Sequence, residues 1–319
     1  MNIFEAIIQG IVQGLTEFLP VSSSGHLAIS QHILGVGQGN LFFNVMLHIG
    51  TLIAVVIVYR KLIVKLFFAF IKLVKKIIQR NFKWNEMTQD ENMVVMLFIG
   101  LLPLFFLFIP LPFGQGLTPK YLAEMWSGYS GYLVIVGVSL VITSILLMLG
   151  GTANKITEKT YKLRGVVRQN GAGRHRINAI DALSVGVAQM LAAVFPGLSR
   201  SGTTLAVGEL RGLNKQMALD YAFVLGIPSI LAAALIEGKE AISTGTVTSD
   251  MILPIIFGVI TSAVVGLFAI LLFKWMLKSE KMHLFAIYTA IVGAIIIIIG
   301  CIELITGVNV FTGEPLVFM

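Results

Sequence analysis

Charge is what this sequence has least of. Only 12% of its 319 residues are Asp, Glu, Lys or Arg, while 56% are hydrophobic. A soluble domain carries about 25% charged residues. That deficit and a mean hydropathy of +0.90 exclude an ordinary soluble domain and imply an all-α integral membrane protein, expected to form one domain over 1–319. Cysteine is nearly missing too. Cys301 is the single one and lies in an apolar run, which excludes a disulfide or a cysteine metal framework. The opening Met1-Asn2-Ile3-Phe4-Glu5 lacks a basic region ahead of its apolar run, which argues against a cleaved signal peptide.

What the chain does have is long apolar runs. Six are long enough to span a bilayer, roughly 41–59, 93–113, 128–150, 217–237, 251–273 and 284–306. Two more, roughly 3–20 and 178–196, end in Pro followed by a polar Ser/Gly turn. A helix that enters the bilayer, breaks and returns would stop that way, so 3–37 and 178–212 are expected to be re-entrant helix–turn–helix elements.

The basic residues sort by side. Eight Lys/Arg lie in 60–83, seven in 151–176, two in 205–216 and three in 273–283, which is 20 of the 23. Placing these stretches in the cytoplasm gives six spans with both termini on the outer face, and 61–92 and 151–177 as cytoplasmic loops. The net charge of +7 therefore reflects membrane topology, and nucleic acid is not an expected partner. The segment 61–83 mixes Lys65, Lys72, Lys75 and Lys76 with Phe67, Phe68 and Phe70. It reads either as an amphipathic helix on the inner leaflet or as a solvated basic arm. One basic residue is left inside an apolar element, Arg200, and an intramembrane arginine marks a functional site.

The two turn elements resemble each other. At an offset of 176, Gly10, Gln13, Leu15 and Pro20 meet Gly186, Gln189, Leu191 and Pro196. One inserted residue later, Ser22-Ser23-Ser24-Gly25 meets Ser199-Arg200-Ser201-Gly202. The spans that follow run in opposite directions, so inverted repeats are expected, one over about 1–150 and the other over about 178–306, with their broken helices meeting near the midplane. Glu17 then faces Ala193, Ser23 faces Arg200 and His26 faces Thr203.

Phosphate chemistry suits these turns. A helix restarting after Ser22-Ser23-Ser24-Gly25 presents free backbone N–H groups and a favourable dipole to an anion. The hydroxyls add donors, and Gly25 and Gly202 let the backbone come close. N-capping is the alternative use of a serine such as Ser24. Gln9, Gln13 and Glu17 share one helical face, Gly10 and Gly14 allow close approach of a neighbouring helix, and Gln9 by itself reads as a helix–helix hydrogen bond. His26 suits proton transfer, and His48 could line the same cavity. His32, His175 and His283 fall in turns or loops. Arg200 can clamp phosphate oxygens, with Ser199, Ser201, Thr203 and Thr204 around it as donors. A purely structural Glu17–Arg200 pair is the bland alternative.

At these residues the chain resembles the bacterial undecaprenyl-diphosphate phosphatase family, also associated with bacitracin resistance. The signature (E/Q)-G-x-T-E-F-L-P-V-S-S-x-G-H appears as Gln13 to His26, and P-G-x-S-R-S-G-x-T as Pro196 to Thr204. The resemblance covers essentially the whole chain. It implies removal of the terminal phosphate of undecaprenyl diphosphate at the cell membrane, which returns the lipid carrier for cell-wall polymers. It implies catalytic roles for Glu17, His26 and Arg200, with Ser23 or a water as nucleophile. Substrate contacts follow for Ser22, Ser199, Ser201 and Thr204, and we group Gln13, Ser24, Gly25, Gly202 and Thr203 with them. Dependence on a divalent cation, Mg or Ca, is also implied, with Glu17 as the one ligand to name. The isoprenoid diphosphate lipid and the membrane are the expected partners, and a homodimer stays open. Many members carry glutamate where Gln13 stands, so a two-carboxylate mechanism does not transfer. Glu209 and Arg211 also depart from the usual continuation. Inverted repeats with broken helices equally suit a lipid or anion carrier, which is the rival function.

Overall fold

The computed structural model describes residues 2–35, 41–111, 117–128, 132–163, 172–244 and 249–316. The far end of the first expected turn element, the end of the 93–113 span, the residues after 128 that open the third span, and Arg164 and Arg168 lie outside the described residues. Among those described, eleven α-helices form: α1 Ile3–Phe18, α2 Ser23–Leu34, α3 Leu41–Ile78, α4 Gln89–Leu101, α5 Pro119–Gly128, α6 Tyr132–Leu163, α7 Ala179–Val194, α8 Arg200–Leu210, α9 Lys215–Thr244, α10 Ile252–Lys278 and α11 His283–Thr306. Six are long and apolar enough to cross a membrane: α3, α4 with its continuation to Phe108, α6, α9, α10 and α11. The chain is an all-α, multi-pass membrane protein.

Each of the six expected runs lies mostly within one of these helices, but several limits move. α3 does not stop near residue 59. It continues unbroken to Ile78, 38 residues in all, a rod of about 57 Å against a hydrocarbon core of about 30 Å. The basic 61–78 stretch is therefore the far half of a spanning helix and not a separate helix turned onto the leaflet. Its end is fixed by Lys76 Nζ, 2.7 Å from Glu91 Oε1 on α4. Residues 151–163, expected as loop, prolong α6. α4 tightens into a 3-10 helix over Leu102–Phe108, with Pro103 at its start, because proline cannot supply the next α-type hydrogen bond. His32 sits in the last turn of α2 and His283 opens α11, so neither is a loop residue.

The turn elements are two helix pairs, α1/α2 and α7/α8. α1 lies along α10 and α7 along α4, while α8 packs on α6. α2 is pinned to α11 by His32 Nε2, 2.8 Å from the buried Glu303 Oε1. Small residues permit these crossings. A Cβ on Gly10 would lie 2.7 Å from the Gly258 carbonyl of α10, and one on Gly14 would lie 2.9 Å from both Gly266 N and Ser262 O. Gly186, the residue that matches Gly10 at the 176 offset, meets the Gly100 backbone of α4 in the same way. Backbone this close leaves nothing that can move aside.

A side chain at Gly14 is expected to push α1 off α10 and carry Glu17 with it. Gly14→Leu should cost about 2 kcal/mol or more by overpacking, read as a lower thermal midpoint in detergent. Gly151→Ala, with nothing within 4 Å of the new Cβ, should leave that midpoint unchanged or slightly raised.

Candidate active site

Each turn is written by its proline. Leu19 precedes Pro20 and is extended (φ −67°, ψ 140°), as a pre-proline residue prefers, so α1 ends at Phe18. The chain reverses through Ser22, which is buried and sits at φ +75°. That backbone region is costly for a residue with a Cβ, by about 1–3 kcal/mol, and such strain collects at functional sites. Ser22 then caps α2, its Oγ accepting from Gly25 N at 3.2 Å. In the second element α7 ends at Val194, and Gly197 takes φ +87° against the Val136 carbonyl of α6. Ser199 caps α8 by accepting from Gly202 N at 3.1 Å. The capping role weighed for Ser24 belongs to Ser22 and Ser199. Gln9 Oε1 accepts from Ser30 Oγ of α2 at 2.9 Å, a helix–helix hydrogen bond as expected.

Ser23 and Arg200 are thus the first residues of α2 and α8, and both reach the same carboxylate. Glu17 is 4% exposed. Its Oε1 is paired with Arg200 Nη2. Its Oε2 accepts from Ser23 Oγ at 2.7 Å and from Gln13 Nε2 at 2.8 Å. His48 Nδ1, from α3, lies 3.1 Å from that same oxygen and 2.8 Å from Gln13 Nε2. Around this hub the turns interlock: Gly197 N donates to Ser24 Oγ at 3.4 Å and Ser201 Oγ to Leu19 O at 3.3 Å. Thr143 Oγ1 of α6 holds Ser199 N at 3.1 Å. A cleft beside the hub is lined by Glu17, Arg200 and Ser201 together with apolar groups of α3 and α9, among them Val55, Phe223 and Ile230.

The structure redistributes several roles. Among the described residues His26 is hydrogen-bonded to neither Glu17 nor Ser23. Its Nδ1 meets the Ser22 carbonyl at 2.8 Å and its Nε2 meets Tyr288 Oη of α11 at 2.8 Å. The imidazole bonded to Glu17 is His48, which sequence reasoning placed only on the cavity wall. The hydroxyls expected around Arg200 are turned elsewhere. Ser199 caps its helix, Thr204 Oγ1 donates back to Arg200 O at 2.7 Å, and Thr203 Oγ1 is buried with no partner among the described residues. The guanidinium is held instead by Glu17 and, through Nη1, by Gly226 O at 3.3 Å and Ser229 Oγ at 3.4 Å on α9. Tyr288 had no sequence signal beyond being an aromatic in a span. Ser229 had one, a hydroxyl directly after the intrahelical Pro228.

Chemically, the site offers a guanidinium, a buried carboxylate bonded to a hydroxyl, and two helix starts. The N–H groups of Ser23, Ser24, Arg200 and Ser201 stand in first turns, where no intrahelical carbonyl reaches them. No group of three His, Cys, Asp or Glu able to hold a metal occurs among the described residues. A hard cation needs oxygen, however, and Mg takes one or two carboxylates and completes its shell with substrate phosphates and water. Glu17, Ser23 Oγ and the buried, unpartnered Gln13 Oε1 fit a cation shared with a phosphate substrate better than one caged by protein alone.

Comparison with known proteins fits this geometry. The family described as bacitracin resistance protein BacA matches residues 6–295. A protein of Alkaliphilus metalliredigens named undecaprenyl-diphosphatase is 34% identical over 300 residues, covering 93% of this chain and 98% of that protein. One of the same name from Methanobrevibacter smithii is 35% identical over 93% of this chain and 97% of its own length. Another, from Bacteroides fragilis, is 34% identical over 95% and 100%. With both turn motifs folded onto one carboxylate and the match running almost end to end, the chain belongs to the BacA bacitracin resistance protein family.

Proposed function

We propose that this protein is an undecaprenyl-diphosphate phosphatase. It hydrolyses the terminal phosphate of undecaprenyl diphosphate to give undecaprenyl phosphate, the carrier reused in cell-wall polymer synthesis. The observation that carries the reading is the meeting of Ser23 and Arg200, from separate turns, on the two oxygens of Glu17. A nucleophile-to-base hydrogen bond beside a fixed cation is what phosphoryl transfer needs.

The roles follow from those contacts. Arg200 and the first-turn amides of α2 and α8 bind the diphosphate oxygens and stabilise the charge that builds as the terminal phosphoryl group departs. The Nη1 contacts to α9 are long, so that edge of the guanidinium is the one substrate oxygens displace. The nucleophile is Ser23 Oγ or a water in its place. Its proton passes to Glu17 Oε2 as the new P–O bond forms. The bridging P–O bond breaks with its electron pair remaining on the lipid phosphate. On the serine route a water then attacks the phosphoserine phosphorus, the Ser23 Oγ–P bond breaks, Oγ regains the proton held by Glu17, and inorganic phosphate leaves with the water's oxygen and protons. Gln13 and His48 hold Glu17 in register, and His26, fixed by Ser22 O and Tyr288, gives or takes a proton depending on the step. A divalent cation, Mg or Ca, supplies further charge neutralisation when bound, with Gln13 Oε1, Glu17 and Ser23 Oγ as its protein donors. The isoprenoid tail lies between helices, along the apolar cleft walls.

The helix pairs support a re-entrant arrangement within two inverted repeats. α1 and α2, at 16 and 12 residues, reach only about 24 and 18 Å, short of a 30 Å core. In this reading both termini and access to the site lie on the outer face, and the one-sided distribution of basic residues supports that orientation of the termini.

Purified protein in detergent should release inorganic phosphate from undecaprenyl diphosphate, and chelation of divalent cations should stop the release until Mg or Ca is restored. Arg200→Ala should lower kcat/KM by about 10³-fold or more and His26→Ala by about 10²-fold or more. Full activity in both would remove these residues from the site, and lipid movement in proteoliposomes without phosphate release would make the protein a carrier. Ser23→Ala separates the nucleophiles, since a dead variant means serine attack and a slowed one means water. For the topology, cysteines are placed in a Cys301→Ser background. Thr312→Cys should react with an impermeant maleimide on intact cells, and Lys155→Cys only after permeabilisation.

A further inference from the structure

The corner where α4 and α7 begin carries a second pocket. Just before α7 the chain runs through Arg174, His175 and Arg176 without helical structure, yet it is fastened on both sides. Arg174 N donates to Gly212 O and Asn214 N to Arg174 O, each at 2.9 Å, which ties the strand-like segment to the turn between α8 and α9. Asn214 Nδ2 donates to Ala172 O at 3.0 Å, and Gln89 Nε2 of α4 to His175 O at 3.1 Å. Between this segment and the start of α4 lies an open cavity of about 380 Å³ lined, among the described residues, by Gln89, Arg174, His175 and Arg176. That volume is in the range of small-ligand sites.

The lining is cationic and incompletely satisfied. Arg174 is committed: its Nη1 and Nη2 donate to Asp181 Oδ2 and Oδ1 at 2.7 and 2.9 Å, and Nη2 also donates to Arg211 O. Arg211 Nε donates to Asp181 Oδ1 as well, at 3.0 Å, so two arginines share that one carboxylate. Among the described residues no acidic side chain lines the cavity itself, and Asp90 and Glu91, which follow Gln89 in the first turn of α4, are not part of the lining. Arg176 is exposed and adds a charge with five donors. His175 Nε2 is buried and has no hydrogen-bond partner among the described residues. α4 and α7 both begin here, under Thr88 and Asn178 caps, and add their positive ends to the same field. Elsewhere the basic residues of this face, such as Lys61 to Lys75, stand along α3. Here they wall a cavity.

We propose that this pocket binds a phosphate group, with the exposed Arg176 guanidinium as its direct donor, Arg174 as the fixed wall and the His175 ring, its Nε2 enclosed, beside it. The site is independent of the reading of the active site, which lies at the turns around Glu17. On the topology above it faces the cytoplasm and the inner leaflet, so its phosphate comes either from an anionic lipid headgroup or from a free phosphate.

The test uses the full chain with 15N-labelled histidine, the His175 signals being those lost in His175→Gln. Inorganic phosphate is titrated into protein held in phosphatidylcholine nanodiscs, and in a second arm the lipid is exchanged for phosphatidylglycerol. A saturable shift of the His175 Nε2 signal in the first arm identifies free phosphate, and one in the second arm identifies the lipid. In either arm Arg176→Gln should weaken the response at least fivefold, while the signals of His26 and His48 stay in place. Absence of a His175 shift in both arms overturns the proposal. So does a shift that Arg176→Gln leaves unchanged, since it would be a general salt effect. Phosphate release from undecaprenyl diphosphate is not part of the readout, so failure of the catalytic reading and failure of this one are told apart.

Discussion

Everything at the active site depends on one buried carboxylate being shared by two chain reversals. Glu17 ends α1 inside an apolar bundle, where an unpaired charge would not survive. Arg200 from α8 takes one oxygen, and Ser23, Gln13 and His48 crowd the other. Removing one partner from such a pair typically costs about 3–5 kcal/mol, because the remaining charge is stranded. The same pair is thus a structural pin and, in the proposed mechanism, the catalytic device. The bland reading of a structural Glu17–Arg200 pair and the functional one are not exclusive, since a guanidinium already held in place loses little freedom on meeting a phosphate.

That pin can form only because the helices around it approach at backbone distance. Gly10 and Gly14 let α1 lie on α10, and Gly197 lets the second turn rest on α6. A bilayer gives no hydrophobic drive for helices to associate, so close van der Waals packing between small residues has to supply it. Phe18, directly after Glu17, is 2% exposed and stacks edge-on with Phe223 of α9, ring centroids 5.6 Å apart. The residue that carries the charge is therefore held from behind by the core.

Much of this was legible in the chain. Low charge and six long apolar runs set the class, and proline followed by serine and glycine marked where two helices had to stop. Arg200 stood out because it is the one basic residue in an apolar element, and Glu17, Ser23 and Arg200 are the groups that meet. The limits of α3 and α6 were not legible, because lysines and phenylalanines in 61–78 sustain a helix as readily as they interrupt a span. Nor was the partner of Glu17. His26 is nearer in sequence, but its place in the first turn of α2 aims it at Tyr288, and the imidazole beside the carboxylate comes from α3.

Local chemistry therefore determined which groups exist and where the chain must turn: a carboxylate, a guanidinium, capped helix starts and breaks at Pro20 and Pro196. These follow from side-chain identity and from the backbone limits of proline and glycine, which act over a few residues. Only the tertiary structure decided who meets whom. Arg200 reaches Glu17 across 183 positions, and Ser22 is forced to positive φ. Thr204 turns its hydroxyl inward, and His175 and Arg176 come to wall a pocket. Those outcomes rest on how helices cross and which surfaces are pressed together, and no spacing along the chain encodes a crossing.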